Sequence, residues 1–308
     1  MPTAFISHPS FLLHEMGPGH PECPARLSAI YDHLLMRGLI DLMPPYDAPA
    51  ATREQVARVH GALHVAELEA RVPSEGYFHV DPDTAMNPHT MNAAWHAAGA
   101  AVLGAELVAR GATQSAFCCV RPPGHHAERH QAMGFCFFNN VAVGVAHALA
   151  ELGMARVALV DFDVHHGNGS ENIFAGDERV LMVSTFEHPL YPFSGEIAQG
   201  PNMVNVPLAP RTTGAVMRAA VTERWLPALE EFRPEMIFIS AGFDAHREDD
   251  MANLGWVEAD YAWVTRQVVN IAERHAGGRV VSLLEGGYNL SALARSVAAH
   301  VRVLMNTD

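Results

Sequence analysis

The sequence predicts an α/β protein with three layers, α/β/α, in which helices cover both faces of a central, mostly parallel sheet. Three observations predict it. Strand-like and helix-like patterns alternate along the chain from residue 116 onward. The strands read as continuous apolar runs, such as Val157-Ala158-Leu159-Val160, which suit strands buried on both faces. Four of these runs stop at polar groups and glycines, and open parallel sheets bind ligands at the carboxyl ends of their strands.

Taken in order, Thr3 to Ser7 reads as a first strand and Pro24 to Met36 as a helix. Residues 44 to 52, rich in Pro and Ala, read as a connector. Arg53 to Arg71 reads as two short helices broken at Gly61. Residues 73 to 90 hold Pro73, Gly76, Pro82 and Pro88 and read as a long loop of the kind that frames a site. Met91 to Arg110 is an Ala-rich helix. Strands are expected at 116–120, 157–162, 180–184, 204–206, 236–240 and 280–284. Helices are expected at 139–152, 170–174, 213–232, 257–275 and 290–304. Pro227 must kink or restart the 213–232 helix. No repeat, low-complexity tract or linker divides the chain, so one domain spanning 1–308 is expected.

Composition narrows the function classes. The 308 residues are 49% hydrophobic, enough for a large core, and the formal charge is −14. That charge argues against nonspecific nucleic-acid binding. Cys23, Cys118, Cys119 and Cys136 form no C-x-x-C pair, so neither a disulfide framework nor a thiolate metal site is expected, and a reducing cytoplasm fits. The opening MPTAFISHPS has no basic stretch followed by an apolar one, so no signal peptide is expected, and no segment is apolar enough to span a membrane.

The chemistry concentrates at the four strand ends. After the 157–160 run, Asp161, Asp163 and His165 alternate with Phe162 and Val164, so an extended backbone puts the three polar groups on one face. Two carboxylates and an imidazole at a buried strand end call for a divalent cation. The other ends deliver Arg121-Pro122-Pro123-Gly124-His125-His126, then Ala241-Gly242-Phe243-Asp244-Ala245-His246, then Glu285-Gly286-Gly287-Tyr288. Asp163, His165 and Asp244 can supply three metal ligands and leave a position open, as catalytic sites do. The ligand set is dianionic and weakens the ion's pull on water, so a separate base is valuable, and His125-His126 can provide it. Tyr288 can donate a hydrogen bond to a developing oxyanion. These are the parts for metal-assisted hydrolysis of an amide or ester. Phe137, Phe138 and Cys136 read as packing residues, and His20, His130 and His246 carry no forced role.

RPPGHHA (121–127), GFCFFNN (134–140), VDFDVHHGNG (160–169), SAGFDAH (240–246) and LEGGYN (284–289), together with HPECPARL (20–27), resemble in order the histone deacetylase and acetylpolyamine amidohydrolase superfamily. Asn168, where class I members carry Asp, and Glu285 resemble the class II branch and its bacterial relatives. The resemblance implies an arginase-like fold, a Zn²⁺ ion on Asp163, His165 and Asp244, and hydrolysis of acyl-lysine-type amides. It implies His126 as general base and then acid, His125 paired with Asp161 as electrostatic helper, and Tyr288 polarising the acyl carbonyl. Phe135 and Tyr191 match tunnel walls, with Gly134 beside them; Gly286 and Met251 join the substrate-binding set. It also implies a monovalent cation, K⁺, on Asp161, Ser184 and the backbone carbonyls of Asp163, His165 and Thr185. His125 would face anionic Asp161 and favour its charged form, whereas His126 would face neutral Asn168 and stay neutral.

The expected substrate is an acylated lysine side chain or an acetylated polyamine. Polyamine-preferring relatives carry an acidic gate that falls here on Met251, or on Asp250 with a one-residue slip, within Asp249-Asp250-Met251. Fe²⁺ or Co²⁺ in place of Zn²⁺ stays open, as do a homo-oligomer, a two-manganese ureohydrolase and a non-catalytic acyl-lysine binding module.

Overall fold

The structure is a computed structural model that describes residues 2–307. Eight strands form one parallel sheet: β1 Thr3–Ser7, β2 Pro45–Asp47, β5 Ser115–Cys118, β6 Val157–Asp161, β7 Val180–Glu187, β8 Met203–Leu208, β9 Met236–Ala241 and β10 Val280–Leu284. Their spatial order is β2-β1-β5-β10-β9-β6-β7-β8. Strands β3 Phe78–His79 and β4 Ala85–Met86 make a separate antiparallel pair. The helices are α1 Ala25–Met36, α2 Arg53–Ala57, α3 Ala62–Ala70, α4 Thr90–Ala109, α5 Asn140–Ala150, α6 Asn168–Phe174, α7 Gly214–Ala220, α8 Leu226–Phe232, α9 Glu258–His275 and α10 Leu290–Leu304.

Every residue of β5, β6, β7, β9 and β10 is buried, as the apolar runs require of strands covered on both faces. Register separates the faces. Ala116, Val281 and Phe238 lie in one row, and there α4 approaches through Gly104 and α5 through Gly144. Phe117 and Ser282 lie in the next row, facing the other way, and meet His300 of α10. Helices α1, α9 and α10 pack on that second face. No helix among the described residues is long and apolar enough to cross a membrane.

Two stretches differ from the sequence-based reading, and a third restarts as Pro227 requires. The connector at 44–52 holds the edge strand β2, because Pro44 and Ala48 bond Phe5 and Ser7 of β1. Proline tolerates such an edge, where its missing amide costs no sheet bond. The loop at 73–90 contains the β3–β4 pair. The 213–232 helix takes a π-helical turn at Val221–Trp225 and restarts at Leu226, so Pro227 falls in a first turn, where no amide is needed.

Candidate metal centre and the residues around it

The strands that carry the four polar motifs, β5, β10, β9 and β6, are neighbours in that order. At ~4.8 Å between strands their ends span about 14 Å. Motifs far apart in sequence therefore meet at one edge.

Asp163, His165 and Asp244 converge there, all buried, with donor atoms within 4.8 Å of one another. His165 Nδ1 lies 3.0 Å from Asp163 Oδ1 and 3.2 Å from Asp244 Oδ2. Backbone amides hold both carboxylates: Gly286 donates to Asp163 Oδ2 at 2.8 Å and Val164 to Asp244 Oδ1 at 3.0 Å. Asp244 Oδ2 is buried and receives no hydrogen bond. A buried carboxylate oxygen without a donor is costly unless a cation takes it. Gly286 leaves room for this arrangement, because a Cβ there would stand 2.0 Å from Asp244 Oδ2. The donor set and the orphaned oxygen fit a metal ion.

Charge in the cluster follows from burial and proximity. Burial pushes His165 down, but the Asp163 carboxylate it bonds and the nearby Asp244 carboxylate outweigh it and lift the ring to about 10. Burial raises Asp244, with the Asp163 charge adding, to about 6. Asp163 goes the other way, because His125 and His165 outweigh its burial.

The two histidines after β5 differ in direction. His125 Nδ1 sits 3.0 Å from Asp161 Oδ2. Burial opposes its charge, but the Asp163 and Asp161 carboxylates prevail and push it up to about 10. His126 Nδ1 sits 2.8 Å from Asn168 Oδ1. Burial, then the neighbouring His125 and His165, hold it well below the usual imidazole range. Asn168 Nδ2 donates to Glu128 Oε1 at 2.7 Å, which fixes the amide's orientation. His126 Nδ1 is then the donor to Asn168, and its Nε2 keeps the lone pair.

The remaining predicted residues lie around this centre. Tyr191 stands edge-on to His126 at 5.3 Å and to His165 at 6.4 Å. Phe135 meets Tyr288 edge-on at 5.9 Å, and Gly134 is buried beside His126. Burial holds the Tyr288 phenol well above its ordinary range, against the Arg26 charge and with those of Asp244 and Asp163. Ser184 pairs with Asp161 in the sheet register, and the adjacent Thr185 is buried with an unpartnered Oγ1. Met251 is partly buried; its amide donates to Asp249. His20 stands against Phe135 at 4.7 Å and binds the Asp83 carbonyl, whereas His246 is a buried residue near Glu258. The four cysteines are free, and Cys118, Cys119 and Cys136 are buried.

Sequence reasoning missed four supports. Glu128 orients Asn168. Asp249 is buried, and its carboxylate accepts the amides of Tyr288 (2.6 Å), Asn289 (2.9 Å) and Met251 (3.1 Å). Glu285 accepts the amides of Gly124 (2.7 Å) and His125 (3.2 Å) and the Ser240 hydroxyl (3.1 Å). Arg26 bonds the carbonyls of Gly287 and Glu285, lies over the Tyr288 ring, and pairs with Glu22, which also holds Arg121. Glu22, Arg26 and Glu285 lie within motifs quoted above, but only their contacts reveal what they do.

Comparison with known proteins gives the family. Residues 20–304 match the histone deacetylase domain family. A probable deacetylase of Archaeoglobus fulgidus is 37% identical over 301 residues, covering 94% of this chain and 82% of that one. The histone deacetylase-like amidohydrolase of Pseudomonas aeruginosa is 37% identical over 279 residues, covering 88% and 73%. The crystal structure of the HDA15 HD domain superposes with a TM-score of 0.93 at 33% identity, covering 100% of this chain and 90% of that one. The chain belongs to the histone deacetylase family of deacetylases and amidohydrolases.

Proposed function

We propose that the chain, as one catalytic domain spanning 1–308, is a Zn²⁺-dependent amidohydrolase that removes acetyl or other acyl groups from lysine-like amines. The observation that carries the reading is the orphaned Asp244 Oδ2 in the Asp163–His165–Asp244 cluster, next to two imidazoles driven in opposite directions. When bound, the ion supplies Lewis-acid polarisation of an acyl carbonyl and acidifies water.

The side chains do the rest. His126, neutral and with Nε2 free, takes a proton from water and returns it to the departing amine. His125, kept cationic by Asp161, contributes a fixed positive charge. Tyr288 donates its O–H to the developing oxyanion. Phe135, Tyr191 and Gly134 wall the methylene chain of the substrate and exclude water, with Gly286 and Met251 completing the cavity. Asp161, Ser184 and the carbonyls of Asp163, His165 and Thr185 hold K⁺. Four free thiols, three of them buried, suit a reducing cytoplasm.

An acetylated polyamine is the second substrate reading. Asp83 is exposed, and its charge acts on Tyr191, so a cationic tail would find a carboxylate there. Among the described residues, Asp163, His165 and Asp244 form the one converging group of metal-ligating side chains, which disfavours a two-metal ureohydrolase.

The test is acetate release from an acetyl-lysine peptide and an N-acetylated polyamine, with Zn²⁺-loaded protein and with chelator. Chelator-sensitive release supports the reading. Metal-loaded protein that hydrolyses neither these nor longer acyl amides overturns it.

A further inference from the structure

The loop after β7 carries Tyr191 against His126. Two residues on, Phe193 adopts φ 62 and is 73% exposed. Ile197, on the same loop, is 85% exposed. A left-handed backbone is disfavoured for a bulky L-residue, and a phenyl ring held in water forgoes its burial.

The loop is pinned from beneath. Ser194 Oγ lies 2.8 Å from His166 Nδ1, and His166 Nε2 lies 2.9 Å from Glu171 Oε2. Glu171 Oε1 accepts the Gln199 amide at 2.9 Å and Asn205 Nδ2 at 3.0 Å. Gly195 packs so closely that a Cβ would stand 2.6 Å from both His166 and Phe186. His166 follows the metal-cluster residue His165 in the chain. The two apolar side chains are thus held out on an anchored loop, and the Cα of Phe193 lies within about 7 Å of that of Tyr191.

We infer that Phe193 and Ile197 form an apolar shelf at the mouth of the site, which receives an apolar residue flanking the acylated lysine of a polypeptide. The inference rests on the acyl-lysine reading above and narrows it to polypeptides. A polyamine carries charge every few carbons beyond its amide and offers the shelf no uncharged side chain. Phe193 follows Tyr191 by two residues on this loop, so a chain whose lysine entered past Tyr191 would bring its neighbouring residues within reach of Phe193.

The experiment compares a leucine-flanked with a glycine-flanked acetyl-lysine peptide, by acetate release and by fluorescence anisotropy of labelled peptide. Wild-type protein is set against Phe193→Gly and Ile197→Ser. Glycine suits the left-handed backbone, so Phe193→Gly keeps the fold. The wild type is expected to prefer the leucine-flanked peptide about tenfold, and Phe193→Gly to bring the ratio near one, through KM rather than kcat. A ratio unchanged in both variants overturns the shelf. Binding that depends on the flank and weakens in Phe193→Gly, without turnover in the wild type, supports the shelf and sinks the hydrolase reading. Wild-type protein that binds neither peptide overturns the shelf. So does a dimer that Phe193→Gly dissociates in sedimentation with the peptide ratio unchanged, since the shelf then covers a second copy.

Discussion

Asn168 Oδ1 lies 2.8 Å from His126 Nδ1, and Glu128 holds the other end of the same amide at 2.7 Å. One tautomer of His126 satisfies this chain of contacts, and it leaves Nε2 unprotonated. Asn168→Asp would replace a neutral acceptor with a carboxylate and favour the imidazolium. The acidic limb of the kcat/KM profile is expected to move to higher pH by about one to three units. An unmoved limb would mean that His126 is not the titrating base. His126→Ala is expected to lower turnover by about 10²–10⁴-fold with metal content retained.

Tyr288 depends on Asp249 in a comparable way. Tyr288→Phe keeps the ring and removes the O–H, so kcat is expected to fall by about 10²–10³-fold. Asp249→Ala strands the amides of Tyr288 and Asn289, which the carboxylate accepts at 2.6 and 2.9 Å. Denaturant unfolding should show a loss of about 1–3 kcal/mol. Steady-state kinetics should show a lower kcat with KM little changed.

Gly286 is expected to govern metal occupancy. A Cβ at this position would fall 2.0 Å from Asp244 Oδ2 and 2.7 Å from Asp163 Oδ2. Gly286→Ala must displace one of the two carboxylates. Metal content after dialysis against a competing chelator should fall at least about tenfold relative to wild type. Full retention would show that the cluster does not hold the ion.

Acid should weaken the fold through buried neutral histidines. His300 bonds Thr265 (2.7 Å) and Ser282 (2.8 Å), and burial depresses it to about 3; His60 is depressed by burial and by His64, also to about 3. Their folded pKa lies below the unfolded value near 6.5, so the unfolded state binds the extra protons. Their contribution is complete above pH 6.5 and is lost as pH falls from 6.5 toward 3, by up to ~1.4 kcal/mol per pH unit for each ring. His300→Gln should flatten the decline in denaturant-measured stability between pH 7 and 5. A slope as steep as wild type would assign the acid sensitivity to other groups.

Much of the site was legible because its signals are local. The two-residue alternation of Asp161, Asp163 and His165 places them together without knowledge of any other strand, and Asp163 and His165 do converge. Asp249 was not legible. It reads as one of two acids beside a site, and only the fold shows Asp249 buried beneath the Tyr288 amide and Asp250 exposed. Edge strand β2 escaped for a similar reason: three residues including a proline carry no strand pattern, and their pairing with β1 comes from outside the segment.

The sequence by itself determined the alternation of buried strands with helices, the polar groups at each strand end, and the residue types available to a metal ion. The tertiary structure alone decided that β5, β10, β9 and β6 are neighbours. It therefore decided every bond that closes the site: Gly286 to Asp163 across 123 residues, Glu285 to Gly124 across 161, Asn168 to His126 across 42. It also decided which imidazole is driven toward charge, since burial and neighbouring charges set that balance. Backbone periodicity is a property of a few consecutive residues, whereas strand order and burial are set by packing the whole chain.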